Sequence, residues 1–337
     1  MVNRQRHCSL PEFLISRLNK NWGYAMCYSV LRLVAAVLAS CQILAMAGCL
    51  SAVQSRRERI EFEGRARAYR VHVPPSCKSD KAVPLVVALH GANMGPVLMA
   101  YLTKFNKLSD REGFVVVYPK GLHKRWNSGL NAPGFPGYDE PVDDVGFVAK
   151  IIEDVERNYR IDPRRVYVTG ASNGGMLTHM VACRLADTVA AVAPVIGTLA
   201  ENAAPDCEPS RPIPILMING TKDPLVKWEG GALLKDNQAR ALSVDATVDF
   251  WVRHNGCDLV PDTAWLPHNG PRHGTRVRRD VYKGETRNGD VVLYTVEGGG
   301  HTWPGGALIQ AQWHLGHVNR DLNASEVIWQ FFKKHPR

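Results

Sequence analysis

A serine hydroxyl is a weak nucleophile in water, but one held alone at a sharp bend beside a base can attack a carbonyl. Ser172 stands in such a place. Gly170-Ala171-Ser172-Asn173-Gly174 follows the short run Val166 to Thr169 and opens an apolar pattern at helical spacing. In a chain with 29 glycines the bare string G-x-S-x-G carries little weight. Its place between a strand and a helix is the setting of a nucleophile elbow. Glycines are expected where strand and helix approach too closely for a Cβ. The strained turn then lifts the hydroxyl to the carboxyl edge of the sheet, where open α/β folds bind ligands. The helix N-terminus behind it favours negative charge developing nearby. The plainer reading is a small residue in a tight turn.

Such a serine needs a base, and the base an orienting carboxylate, in the chain order nucleophile, acid, histidine. "ILMINGTKDPLV" places Asp223 just past an apolar strand, and "LYTVEGGGHTWPGG" places His301 in a glycine loop after the last one. Asp143 and Asp144 are rival acids, but they precede the serine and start a helix. An oxyanion hole requires two backbone donors. The amide of Asn173, next to the nucleophile, is one; the loop after "VVALHG" supplies the other, Ala92 first and Gly91 next.

These residues need a sheet to carry them. "RIEFEGRARAYRVHV" reads as an antiparallel hairpin turning at Glu63-Gly64. "PLVVALHG" and "GFVVVYPKG" are continuous apolar runs, the mark of strands buried on both faces. Val145, Val148, Ile151, Ile152 and Val155 repeat at helical spacing. Strand "RVYVTG", helix "GGMLTHMVACRLA", strands "VAAVAPVIG" and "IPILMING", helix "ATVDFWVRHNG" and strand "DVVLYTVEG" follow. The last helix, "NASEVIWQFFKKH", begins with a capping box, Asn323 with Glu326. This alternation predicts a mostly parallel sheet with helices on both faces.

Composition agrees with a globular protein: 337 residues, 45% hydrophobic and 22% charged. The net charge is +9, of which the first 48 residues hold +4, from Arg4, Arg6, Arg17, Lys20 and Arg32 against Glu12. What remains is mildly basic without a Lys/Arg run, so no nucleic-acid partner is expected. The basic leader and the apolar stretch from Leu33 to Leu44, ending in small residues, read as a signal sequence over 1–48. "AMAGC" resembles a bacterial lipobox, which would lipidate Cys49 after cleavage and anchor the protein to a membrane. Met46 stands where that motif has leucine, "LASC" at Leu38 to Cys41 fits the motif better but follows too little apolar sequence, and Met26 is an alternative start. A secreted, periplasmic or outer-membrane location is expected, with residues 49–337 as one catalytic domain. Beyond Cys49 lie Cys77, Cys183, Cys207 and Cys257, an even count that favours disulfides in an oxidising compartment. Cys183 sits roughly 16 Å down the helix after Ser172, at 1.5 Å per residue. Cys207 precedes a strand that starts at the same level, so Cys183–Cys207 is the first expected bridge. No C-x-x-C pair suggests a metal.

"LHGANMG", "YPKGLHKRWNSG", "DDVGFVAKIIEDV", "IDPRRVYVTGASNGGM", "VAAVAPVIG", "INGTKDPLV" and "GGGHTWPGG", in this order, resemble the secreted polyhydroxybutyrate depolymerase and feruloyl esterase family of α/β-hydrolases. The similarity runs from about Arg57 to His335. It implies a serine carboxylesterase, with no cofactor, whose triad falls on Ser172, Asp223 and His301. The family often has cysteine where Ala92 stands; the backbone donor survives that change. The resemblance also points to Trp126 and Trp303 as walls for an acyl or aryl group, with Trp228 a third candidate and loop packing the alternative role.

The expected reaction is hydrolysis of short soluble esters by a monomer, hydroxyalkanoate oligomers ahead of feruloyl or acetyl esters of plant polysaccharide, since no polymer-binding module is evident. A serine peptidase or acyltransferase of the same fold would share the triad. A non-catalytic binding lipoprotein would have no use for an acid and a base on those two loops.

Overall fold

The computed structural model describes residues 55–78, 81–233, 239–268, 274–285, 289–307 and 314–337. The export segment expected over 1–48 and the lipidation site Cys49 lie outside the described residues. Strands β1 (Arg56–Phe62) and β2 (Arg65–His72) form the expected hairpin. Glu63 and Gly64 turn it with φ of 51° and 69°, the left-handed pair that a two-residue turn between twisted strands requires. Then come β3 (Val83–Leu89), α1 (Pro96–Thr103), α2 (Phe105–Glu112), β4 (Val115–Pro119), α3 (Asp144–Asn158), β5 (Ile161–Ala171), α4 (Asn173–Arg184), β6 (Ala191–Val195) and β7 (Ile215–Gly220). A two-stranded pair, β8 (Gly231–Ala232) and β9 (Arg240–Ala241), precedes α5 (Val244–His254). β10 (Asp262–Trp265), β11 (Arg276–Tyr282), β12 (Val291–Glu297) and α6 (Ala324–Lys334) complete the order.

Ten strands make one sheet, in the order β1-β2-β4-β3-β5-β6-β7-β12-β11-β10. The six from β4 to β12 are parallel; β2 and β1 at one edge and β11 and β10 at the other run antiparallel. Alternate residues of β3 feed different cores. Leu85 and Val87 meet Val148, Ile151, Leu177, Val181 and Trp251 of α3, α4 and α5. Val86 and Ala88 meet Met99, Phe105, Ile328 and Trp329 of α1, α2 and α6. Burial on both faces is why the central strands read as unbroken apolar runs. On the second face Phe332 stacks on Tyr167 at 4.6 Å and Trp329 on Phe114 at 4.2 Å, fastening α6 to β5 and to the start of β4.

Asn323 caps α6 by accepting from the Glu326 amide at 3.3 Å, but the Glu326 carboxylate binds Arg111 of α2 at 2.6 Å. A disulfide joins Cys183 and Cys207, Cα atoms 4.9 Å apart, at the foot of α4 and ahead of β7, as the topology suggested. Cys77 and Cys257 are free thiols. The sequence pattern does not reveal α1, α2, β10 or β11. Lys104, at φ 56°, breaks α1 from α2, and neither eight-residue piece is long enough to show a period. β11, "RVRRDVY", is too polar to resemble a buried strand because it lies next to the edge. No helix among the described residues is long and apolar enough to cross a membrane.

Candidate active site

Ser172 sits between β5 and α4 with φ 55° and ψ −121°, a backbone region that side-chain-bearing residues rarely adopt, at a cost of about 1–3 kcal/mol. Its amide donates to Val195 O at 2.9 Å, tying the turn to β6. Close contact holds the rest. A Cβ on Gly174 would lie 2.5 Å from both Leu89 O and His90 O, and one on Gly170 2.3 Å from Gly174 O. Those are backbone atoms that cannot step aside, so the glycines flanking the serine are required by the crossing of α4 over β3 and β5. The hydroxyl is left half-exposed at the carboxyl edge.

Asp223 follows β7 and His301 follows β12, the adjacent strand of the sheet. Asp223 Oδ2 accepts from His301 Nδ1 at 2.7 Å. Its other oxygen accepts from the amides of Leu225 and Val226 at 2.8 and 2.9 Å. Both side chains are buried. Because a carboxylate only accepts, the ring proton stands on Nδ1, which leaves Nε2 as a base. Among the described residues no hydrogen bond joins the Ser172 hydroxyl to that ring; contacts of this kind commonly tighten only when substrate is bound. The rival acids are engaged elsewhere. Asp143 caps α3 through the Gly146 amide at 3.0 Å and binds Arg184, and Asp144 forms a buried pair with Arg67 at 2.6 Å.

No described residue accepts from the amide of Ala92, and Asn173, first in α4, has an N–H outside the helix ladder. Both are thus free to meet an oxyanion. The network that holds them leaves no pattern in the sequence. His90 is fully buried; its Nδ1–H donates to Gly91 O at 2.8 Å and its Nε2 accepts from the Gly121 amide at 3.1 Å, clamping the loop of Ala92 to the exit of β4. Burial pushes its pKa down to about 4 and keeps it neutral. Asn173 accepts from the Trp126 amide at 2.8 Å and donates to Ser128 Oγ at 2.8 Å. Next along the loop, the Asn127 amide donates to Asp144 at 2.7 Å, so the Arg67–Asp144 pair anchors the segment that grips Asn173. The available signal was a histidine after one apolar strand and an acid at the start of an apolar helix, which nothing but geometry distinguishes from solvated ones.

The two tryptophans expected to wall the cleft do not face it. Trp126 is fully buried, packed on His90 at 4.7 Å with its Nε1–H donated to His90 O at 2.7 Å. Trp303 is 1% exposed, edge-on to Phe105 and donating to Ser325 Oγ at 3.1 Å. Each indole N–H needed a partner once buried, and each found it in the protein rather than a substrate. Trp228 packs against the core beside α5 and donates to Asp245 at 3.3 Å.

Residues 67–208 match the family model described as esterase PHB depolymerase. NocK of Nocardia uniformis subsp. tsuyamanensis, whose name assigns it as an esterase, is 30% identical over 277 residues, covering 80% of this chain and 79% of its own. Poly(3-hydroxyalkanoate) depolymerase C of Paucimonas lemoignei is 28% identical, over 69% of this chain; the chain spans only 58% of that enzyme's length. Among solved structures, an acetyl xylan esterase from Aspergillus awamori is 17% identical and covers 83% of this chain and 99% of its own with a TM-score of 0.54, a likeness of fold. The architecture is that of an α/β-hydrolase.

Proposed function

The chain belongs to the PHB depolymerase family of esterases, carboxylic-ester hydrolases, and from that premise we propose that it cleaves short soluble esters, hydroxyalkanoate oligomers above others, through a Ser172 acyl-enzyme. His301 Nε2 takes the proton of Ser172 as the hydroxyl attacks the ester carbonyl. Asp223 holds the Nδ1–H tautomer and stabilises the charge the ring acquires. The amides of Ala92 and Asn173 receive the oxyanion. His301 then protonates the leaving alcohol, and water releases the acyl group by the reverse path. The observation that carries this reading is the His301–Asp223 hydrogen bond, at the same sheet edge as a serine held at φ 55°.

An aliphatic acyl group is preferred over a feruloyl group because Trp126 and Trp303 are buried and offer no aromatic wall. The leader and the Cys183–Cys207 bridge support an exported protein, with Cys49 as its lipid attachment point. A fluorophosphonate probe tests the nucleophile: labelling of Ser172 is expected, and a labelled peptide elsewhere would move it. Rates on nitrophenyl esters of rising chain length, hydroxybutyrate oligomers and methyl ferulate test the substrate; fastest turnover of methyl ferulate would reverse the ranking.

A further inference from the structure

The hairpin β1–β2 ends the sheet, and among the described residues only one of its faces is covered by a helix. Ile60, Phe62 and Tyr69 turn to the core beneath α3, with Arg67 over the Phe147 ring at 3.8 Å. Arg57 and Arg59, at alternate positions of β1, turn the other way. There they wall a groove of about 360 Å³, with Ala66 and Ala68 beneath and Lys120 and His123 on the far side. All four basic side chains are exposed. Among the described residues no carboxylate pairs with Arg57, Arg59 or Lys120. Of the nearby acids, Glu58 is engaged with Arg56 and Glu140 with Arg65 at 2.9 Å, while Glu61 shares the outward face of β1, opposite Ala66 and two positions from Arg59, and among the described residues pairs with none of the groove's cations. Like charges two apart on one strand face repel each other, and small alanines leave the space between them open.

The groove adjoins the reaction edge. Gly121, one of its lining residues, donates to His90 at 3.1 Å, and Lys124 O, next to His123, accepts from the Asn93 amide at 2.9 Å. The loop bearing Lys120 and His123 is therefore bonded on both sides of Ala92. At about 4.8 Å per strand, β4 lies roughly 10 Å and β1 roughly 19 Å from β5 and Ser172. We propose that this groove is an anion subsite, which holds the terminal carboxylate of an oligomeric hydroxy-acid ester while an ester bond farther along the same molecule lies at Ser172. The proposal rests on the esterase reading and names its substrate class: esters that carry a carboxylate on an arm of about 10–19 Å.

The test compares a soluble hydroxybutyrate tetramer bearing a free carboxylate with the same tetramer ending in a carboxamide, and uses nitrophenyl butyrate as a neutral reference. The acid should be cleaved with kcat/KM about tenfold above the amide in dilute buffer, an advantage that shrinks in 0.5 M salt. In the triple variant Arg57→Ala, Arg59→Ala, Lys120→Ala the two tetramers should become equal, with nitrophenyl butyrate unchanged. Equal rates on acid and amide in the native protein would overturn the subsite, as would a triple variant that still favours the acid or one that loses nitrophenyl butyrate hydrolysis. Failure of the native protein on all three esters would instead overturn the esterase reading.

Discussion

Replacing Asp223 by asparagine changes one atom, and the surroundings dictate where the new NH₂ goes. Asp223 Oδ1 accepts from two amides, Leu225 and Val226, and Oδ2 accepts from His301. An asparagine that turned its NH₂ toward the two amides would leave both N–H groups without an acceptor, at about 1–3 kcal/mol each. Its oxygen therefore stays with Leu225 and Val226, and its NH₂ faces His301 Nδ1. The ring must then accept at Nδ1 and carry its proton on Nε2, where it can no longer take one from Ser172. Loss of the base together with the stabilising charge is expected to lower kcat about 10⁴-fold, or about 5.5 kcal/mol at the transition state. The three hydrogen bonds survive in number, so stability should change by about 1 kcal/mol or less. The measurement is kcat and KM on nitrophenyl butyrate alongside a thermal melt. A folded variant with kcat within tenfold of the native protein would refute this account of the acid.

Ser172→Ala should lower kcat by about 10⁴-fold and abolish fluorophosphonate labelling while the melt is unchanged or improved, since alanine carries no nucleophile; persisting activity would remove the serine from the mechanism. Asn173→Ala keeps the oxyanion amide but strips the grip on Trp126 and Ser128, and should cost about 2–4 kcal/mol in urea unfolding with a 10- to 100-fold loss in kcat; a silent variant would show that the side chain positions nothing. Reducing Cys183–Cys207, which closes a loop with a sequence separation of 24, should cost about 3 kcal/mol, read from the urea midpoint with and without reductant. Acid sensitivity follows from two buried histidines, His90 and His179, the latter donating to Gly197 O at 3.3 Å and accepting from Trp251 at 3.0 Å. Burial pushes both pKa values down to about 4. Between about pH 6.5 and 4 the unfolded chain gains protons that the native rings refuse, so stability held above pH 6.5 falls with acidification by up to about 1.4 kcal/mol per pH unit per ring. Equal urea midpoints at pH 7 and pH 5 would contradict this.

The central sheet was legible because burial on both faces leaves no polar alternation to confuse the pattern. "PLVVAL" and "FVVVY" can be little else, and α3 repeats its apolar residues over fifteen positions. Legibility fades toward the edges. β11 mixes Arg276, Arg278, Arg279 and Asp280 with its apolar residues because only part of its surface meets the core. α1 is apolar nearly all round and α2 mostly polar, and the left-handed Lys104 between them hides their joint length.

The site divides along a similar line. The residues proposed to do chemistry lie at strand ends and are exposed by the folding pattern itself: a serine between two glycines, an acid past β7, a histidine past β12. Residues that hold them in place are recognised only by partners distant in the chain. Asp144 looks like an ordinary helix-start acid until Arg67, 77 positions earlier, is found against it, and Trp126 looks like a cleft wall until His90, 36 positions earlier, takes its N–H. An indole or carboxylate is chemically ambiguous, able to serve a ligand or a neighbour, and sequence spacing does not say which claims it first. In both cases the neighbour does, and its reward is rigidity at the loops of Ala92 and Asn173. Under the proposed mechanism those loops must already point their amides at an oxyanion before it forms, since a donor that had to reorganise at the transition state would lose much of its worth. The tryptophan expected to touch substrate thus lies one layer back, where its amide holds Asn173, the proposed donor.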